Sequence, residues 1–443
     1  MNQVPLRRQV GLAGAVFTLV GYVIGASIFV LPGQLGARAG PALVVSYLLA
    51  ALLAGLACLA AAHIGSQLPV SGAIYVAVSR NVSPRAGFLV LWAILASVTV
   101  GVPVVAYGLA DYLWYFVPGL ARLPVALMVV TIFGLINLLP VRGSVLVQTV
   151  LTGAFLLLLY GFGWQAVRQV DAGRFSPFFA NGIGPVLGAA VGAYFSFTGF
   201  MALANIGEEI KTPGRTLPRA LVLSFIVVTV AYLLTAVAVT GLLEWRTLAD
   251  VPAPLATAAE TFLPSWAVGL ISLTAILAAA TTVHGVLLVH SRDVYALARD
   301  RVFPPLIGWV HPVTRIPAAA VLVLTGLALL GVLAGAALLD YALLAVLGVM
   351  FMQVGAGVAL LRMPSYSSPG RFALRGKPRR TVGIGLIVTS GSFALVGSLE
   401  RPAVALVFAV VMATGLLYYS ARRRALAARG QHLDELFAHS LDS

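Results

Sequence analysis

An all-α membrane protein of twelve transmembrane helices is the fold class this sequence predicts, and hydropathy, charge placement and two glycine-rich interruptions predict it. The chain has 443 residues, 60% of them hydrophobic and 9% charged, far more apolar than a soluble domain. Uncharged apolar runs recur from Gly11 to Ser420, and about 20 residues rising 1.5 Å each cross a hydrocarbon layer of about 30 Å. The basic residues gather on alternate segments between runs. Two runs carry glycine and small polar residues at mid-depth, where a freed backbone costs several kcal/mol unless protein or a cavity satisfies it.

The chain opens MNQVPLRRQV and then turns apolar. That is the charge order of a signal peptide, but the run outlasts the usual apolar region, and Pro32-Gly33 follows without an Ala-x-Ala site. A retained first span over 11–33 is therefore expected. The remaining spans are expected over 41–64, 86–112, 123–139, 144–166, 185–208, 219–243, 266–291, 317–335, 339–361, 381–398 and 402–420. Residues 1–10 form an N-terminal segment, 362–380 a basic loop and 421–443 a tail.

With the amino terminus inside, the only Lys or Arg on the outer side are Arg38, Arg122, Arg168, Arg174, Arg246 and Arg401, out of 28. This skew supports an even span number, both termini cytoplasmic and an inner-membrane location. The net charge of +14 thus sits between spans and does not mark a nucleic-acid surface. The basic run from Arg371 to Arg380 and the tail around Arg422 suit anionic lipid headgroups. The single cysteine, Cys58, lies in the second span, so no intrachain disulfide and no cysteine-based metal site can form.

The interrupted runs are the first, GYVIGASIF from Gly21 to Phe29, and the sixth, GAYFSFTGF from Gly192 to Phe200. Small residues can also serve close helix packing. Their occurrence five spans apart instead points to two inverted five-span repeats, 11–166 and 185–361, with a site at the midplane and spans 11 and 12 (381–420) outside. A half-helix starting near Ser27 aims unpaired N–H groups at a carboxylate. Carbonyls freed around Phe195, Ser196 and Phe197 can accept from an ammonium group. The expected substrate-binding residues are Ile24, Gly25, Ala26 and Ser27 with Phe195, Ser196, Phe197, Thr198 and Gly199, and the Phe195 ring is the candidate gate.

GYVIGASIFVLPG from Gly21 to Gly33, LPVSGAIYVAVSR from Leu68 to Arg80, YFSFTGFMALANIGEEIKTPGRTLPRAL from Tyr194 to Leu221 and SRDVYALARDRVFPP from Ser291 to Pro305 resemble motifs of the amino acid-polyamine-organocation superfamily, in its amino acid permease branch. The resemblance covers residues 11 to about 420. It implies a LeuT-type fold with helices 1 and 6 unwound, and an amino acid or related amine as cargo.

Three positions depart from the family pattern. Ser27 stands where glycine is usual. Met201 stands where an acidic residue often follows Gly-Phe, so a cationic side chain would go unpaired and a neutral amino acid is expected. Phe155 stands where proton-coupled relatives often place lysine. Sodium-coupled proteins of this fold supply ligands where Thr281 and Thr282 stand, so the resemblance implies a candidate sodium site there with the carbonyls of Gly21 and Ile24, and sodium is the one candidate cofactor. His284 is a candidate proton site; ion-independent exchange is the competing mechanism. Glu208, Glu209, Lys211, Arg215 and Arg219, with Arg292, Asp293, Arg299 and Asp300, suit inner ion pairs or a solvated face.

The scattered histidines and absence of paired carboxylates in the spans speak against an enzyme, and interruptions confined to two helices speak against a channel. The expectation is a secondary transporter of a neutral amino acid, cation-coupled or exchanging, and monomeric or homodimeric. An exporter of amino acids or amines, or a membrane sensor reusing the fold, is the alternative.

Overall fold

The computed structural model describes residues 8–431, apart from residues 26, 118, 252, 336–337 and 365–371. The described chain is helical and has no extended strand. Its helices are α1 (Leu12–Ile24), α2 (Ser27–Ala39), α3 (Leu43–Gln67), α4 (Ala73–Asn81), α5 (Pro84–Phe116), α6 (Arg122–Ile136), α7 (Val141–Gln169) and α8 (Ile183–Phe195). A 3-10 segment (Phe200–Asn205) follows, then α9 (Pro213–Leu242), α10 (Pro254–Glu260), α11 (Ser265–Arg299), α12 (Ala318–Ala334), α13 (Leu338–Arg362), α14 (Gly376–Glu400) and α15 (Pro402–Ala427).

Among the described residues nine helical stretches are long and apolar enough to cross a membrane, and α1, α6 and α12 are shorter apolar helices. Leu157 and Leu417, 76% and 71% exposed, put large apolar side chains on the outer surface, which suits lipid and not water.

Several expected boundaries move. The first span does not end near Gly33: α2 continues to Ala39 with Pro32 inside it. Its glycines allow this, because a Cβ at Gly33 would lie 3.0 Å from Pro254 and one at Gly36 2.7 Å from Leu248 Cδ1. The sixth span is not helical to 208, since α8 stops at Phe195 and only 3-10 turns follow. Helix α14 begins at Gly376, inside the expected basic loop, while residues 365–371 of that loop fall outside the described residues. Helix α15 runs past 420 to Ala427, and residues 432–443 of the tail are not described.

At the centre, α1 packs against α7, α9 and α11, and α2 against α8 and α9. Helix α11 also meets α5, which packs with α13 on the other side. The most apolar window of α11 is 67% buried and that of α15 only 17%, so the last helix is peripheral. Cys58 is buried. The start of the chain is tied to the segment after the 3-10 turns: Gln9 and Val10 N–H groups donate to the Glu209 carbonyl, and Lys211 N–H donates to that of Val10, all at 2.9 Å.

Candidate functional site

The first break lies between α1 and α2. Gly25 has φ +48° and ψ −158°, a conformation that favours glycine. A Cβ there would also lie 2.6 Å from the Thr282 hydroxyl. Ala26 falls outside the described residues. Ser27 opens α2, and its hydroxyl donates to the Ile24 carbonyl at 2.9 Å. The free N–H groups of the first turn of α2 start at this point.

The second break separates α8 from the 3-10 segment. Ser196, Phe197 and Thr198 N–H groups donate to Ala193, Tyr194 and Phe195 carbonyls. Gly199 then takes φ +115°, and a Cβ there would collide with the Tyr22 ring. The two breaks touch.

Tyr232 of α9 links them. Its hydroxyl lies 2.9 Å from Ser27 Oγ and 3.0 Å from the carbonyl oxygens of both Ile24 and Ser196. A phenol carries one proton, so this hydroxyl donates to one carbonyl at a time while holding both breaks within reach. In the sequence it was a lone tyrosine in an apolar run, and nothing in spacing marked it.

A cavity of about 470 Å³ opens at the breaks, within the range of roughly 300–1,000 Å³ usual for small-molecule sites. Ile24, Gly25, Ser27, Phe195, Thr198, Gly199 and Thr282 line it. Phe195 is partly exposed there. Ser196 and Phe197 do not line it. Phe197 is turned into the core against Tyr47 and Tyr232, and the Phe195 and Ser196 carbonyls already have donors in Thr198 and Tyr232. The expectation that these carbonyls stand free for an ammonium group is corrected for Phe195, while the Ser196 carbonyl shares the single Tyr232 proton with that of Ile24.

The facing wall comes from α5 and α13 and is aliphatic: Ile94, Val98, Val102, Val105, Val346 and Val349. Sequence reasoning missed this wall because continuous helices give no local signal of what they face. The polar lining includes Tyr22, Gln34, Ser97, Asp111 and His290. Among the described residues Asp111 is the only carboxylate in it, and it is paired with Arg122, whose Nη2 donates at 2.7 Å.

The four oxygens of the candidate sodium site do not gather as free donors. The Thr282 hydroxyl donates to the Gly21 carbonyl at 3.0 Å, and that of Thr281 lies 2.8 Å from the Ala278 carbonyl and 3.2 Å from that of Gly21, its one proton serving either. The Ile24 carbonyl is served by Ser27 and Tyr232. The set is a hydrogen-bonded latch between α1 and α11. Phe155 is fully buried, and the α7 side chains at this latch are Gln148 and Thr152, beside Gly21. Gln148 donates to the Thr281 carbonyl at 3.0 Å.

His284 also lies outside the cavity lining. Its Nδ1 is 3.1 Å from Asn137 Nδ2 and its Nε2 is 2.9 Å from the Ser144 carbonyl, a pattern that a neutral ring with its proton on Nε2 satisfies. His290, six residues on, does line the cavity, 2.9 Å from the Tyr22 hydroxyl and 2.6 Å from Asp293. The i,i+3 spacing of His290 and Asp293 was the signal that could have found it.

Beyond Asn205 the expected ion pairs form selectively. Arg292 and Glu209, 0% and 1% exposed, bond through the guanidinium Nε and Nη2 at 2.9 to 3.2 Å. Burial raises the Glu209 carboxyl above its ordinary value, against the pull of Arg292. Arg299 bonds Glu208 and Asp300, each at 3.0 Å. Lys211, Arg215 and Arg219 make no ion pair among the described residues.

The family profile described as "Amino acid permease" matches residues 10–419. The branched-chain amino acid permease BcaP of Bacillus subtilis is 30% identical over 396 residues, 84% of this chain and 85% of that protein. The methylthioribose transporter of the same species is 27% identical, covering 67% and 68%. Cationic amino acid transporter 4, vacuolar, of Arabidopsis thaliana is 29% identical, covering 70% and 56%. The chain is a multi-pass membrane protein and a transporter of amino acids, belonging to the amino acid permease family.

Proposed function

We propose that this chain is a secondary carrier of a neutral, aliphatic amino acid, working by alternating access about the cavity between the two breaks. The observation that carries the reading is the contrast across that cavity. One side offers the first turn of α2 and the backbone beside Gly25 and Gly199; the other is a wall of valines and isoleucine. The α-carboxylate would meet the N–H groups at Ser27, and the side chain would bury its apolar area against α5 and α13. With Asp111 held by Arg122, a cationic side chain would find no free partner. The similarity to a branched-chain amino acid permease supports the same substrate class.

The arrangement is a twelve-span protein of two inverted repeats, 11–166 and 185–361, with spans 11 and 12 outside them and both termini cytoplasmic. The charge skew and the paired breaks support it. Sodium has no part in the cycle proposed: the Thr282 hydroxyl ties α11 to the Gly21 carbonyl of α1, and the Thr281 hydroxyl lies nearest the Ala278 carbonyl of its own helix.

Counterflow of labelled leucine in proteoliposomes tests the reading, with arginine as the comparison and potassium replacing sodium. Leucine exchange that arginine fails to compete with, at a rate unchanged by the cation, is expected. Arginine exchange without leucine exchange would overturn the substrate class, and a sodium requirement would overturn the coupling.

A further inference from the structure

Helix α11 places His290 and Asp293 one turn apart, 4% and 1% exposed, with Nδ1 2.6 Å from Oδ2. The other ring nitrogen, Nε2, lies 2.9 Å from the Tyr22 hydroxyl at the cavity. Asn205, the last residue of the 3-10 segment, donates to the same Asp293 Oδ2 at 3.3 Å. Asp293 Oδ1 is buried with no hydrogen-bond partner among the described residues. A chain of polar groups therefore runs from the cavity at Tyr22 through His290 and Asp293 to Asn205. Asn205 also holds the start of α4, its carbonyl accepting from Gly72 N–H at 3.2 Å and its Oδ1 from Ile74 N–H at 3.3 Å.

The groups that face the pair from other elements are Tyr22 of α1 and Asn205, and the backbone at Gly72 lies beside Asp293 Oδ1. On α11 itself, the neighbouring Arg292 turns to Glu209.

A neutral His290 with its proton on Nδ1 donates to Asp293 and accepts at Nε2 from Tyr22. A proton added at Nε2 turns that nitrogen into a donor. The Tyr22 hydroxyl must then accept, and its own proton must turn away. Asp293 has room for the displaced charge. If Nδ1 passes its proton to the carboxylate, the ring is left neutral in its other tautomer and the carboxyl is protonated. Tyr22 is where the breaks meet: its ring blocks a side chain at Gly199, and its Cβ would lie 3.3 Å from one at Gly285. Reversal of its hydrogen bond acts on both breaks at once.

We propose that the His290–Asp293 pair is a proton-binding site of this carrier and that its occupancy, relayed by Tyr22, controls opening of the cavity toward Asn205 and the Glu209–Arg292 pair. The proposal rests on the carrier reading above.

The test uses the full chain in liposomes and compares leucine uptake with and without an inward proton gradient. The wild type should accumulate leucine several-fold more with the gradient. His290→Gln and Asp293→Asn should bring that ratio close to one, whatever their absolute rates, and flatten the pH profile between about pH 5.5 and 8. Wild-type leucine exchange that ignores the gradient, or variants that keep the wild-type ratio, would overturn the proposal.

A wild type with no leucine exchange would instead refute the substrate reading, and a substrate-free measurement then decides. Val105→Cys, on the cavity wall, is labelled with a maleimide in a Cys58→Ser background. A labelling rate that changes several-fold over the same pH range with His290 present, and stays flat in His290→Gln, supports the site. A rate independent of pH, or equally dependent in both, overturns it.

Discussion

The two breaks resume differently. After Gly25 the chain returns to an α-helix at Ser27, which leaves a helix N-terminus with free N–H groups beside the cavity. After Phe195 it passes through a turn and 3-10 segment to a buried charged cluster, and the carbonyls nearest the break are already bonded. The first break thus leaves helix N–H groups beside the cavity, whereas the second is a jointed strut from cavity to ion pair. Tyr232 holds the two together. A paired interruption in sequence need not mean two equivalent half-sites.

The largest expected effect falls at the far end of the strut. Arg292→Gln leaves Glu209 buried without its cation and should cost about 3–5 kcal/mol of stability, read as a lowered unfolding temperature in detergent. Unchanged stability would mean that the second break does not lean on this pair. Gly199→Leu comes next, since strain at positive φ costs roughly 1–3 kcal/mol and its side chain meets Tyr22. Purified protein should bind leucine at least about tenfold more weakly, as 1.4 kcal/mol is a factor of ten. Wild-type affinity would show that close approach of the breaks is not needed.

Tyr232→Phe removes the shared hydroxyl and should cost about 1–3 kcal/mol. Because both breaks lose a partner, leucine binding should weaken along with stability; a stability loss alone would reduce Tyr232 to packing. Thr282→Val is the mildest. It loses bonds to the first break only, about 0.5–1.5 kcal/mol, and should leave leucine exchange insensitive to sodium. A sodium response that appears in wild type and vanishes in this variant would restore the ion site.

Much of the architecture was legible because lipid imposes a length on apolar runs, and glycine at Gly25 and Gly199 is demanded by backbone angles that other residues adopt at a cost. The boundaries were less so: α2 extends past Pro32 because Gly33 and Gly36 fit against distant residues. Within the site, Ile24, Gly25, Ser27, Phe195, Thr198 and Gly199 come to one cavity, but Phe197, adjacent in sequence, turns into the core. An unwound stretch has no fixed periodicity, so spacing cannot say which side chains face inward. The histidines make the same point: His284 and His290 share a helix, and only their neighbours distinguish a ring satisfied by Asn137 and Ser144 from one poised between Tyr22 and Asp293.

The sequence by itself determined the membrane setting and the place of both interruptions. These follow from local composition, since hydropathy and backbone conformation are properties of short segments. Tertiary structure alone decided that α5 and α13 supply the aliphatic wall, that Tyr232 bridges the breaks and that His290, not His284, reaches the cavity. Each depends on residues far apart in the chain meeting at hydrogen-bond distance, and helix packing sets those distances.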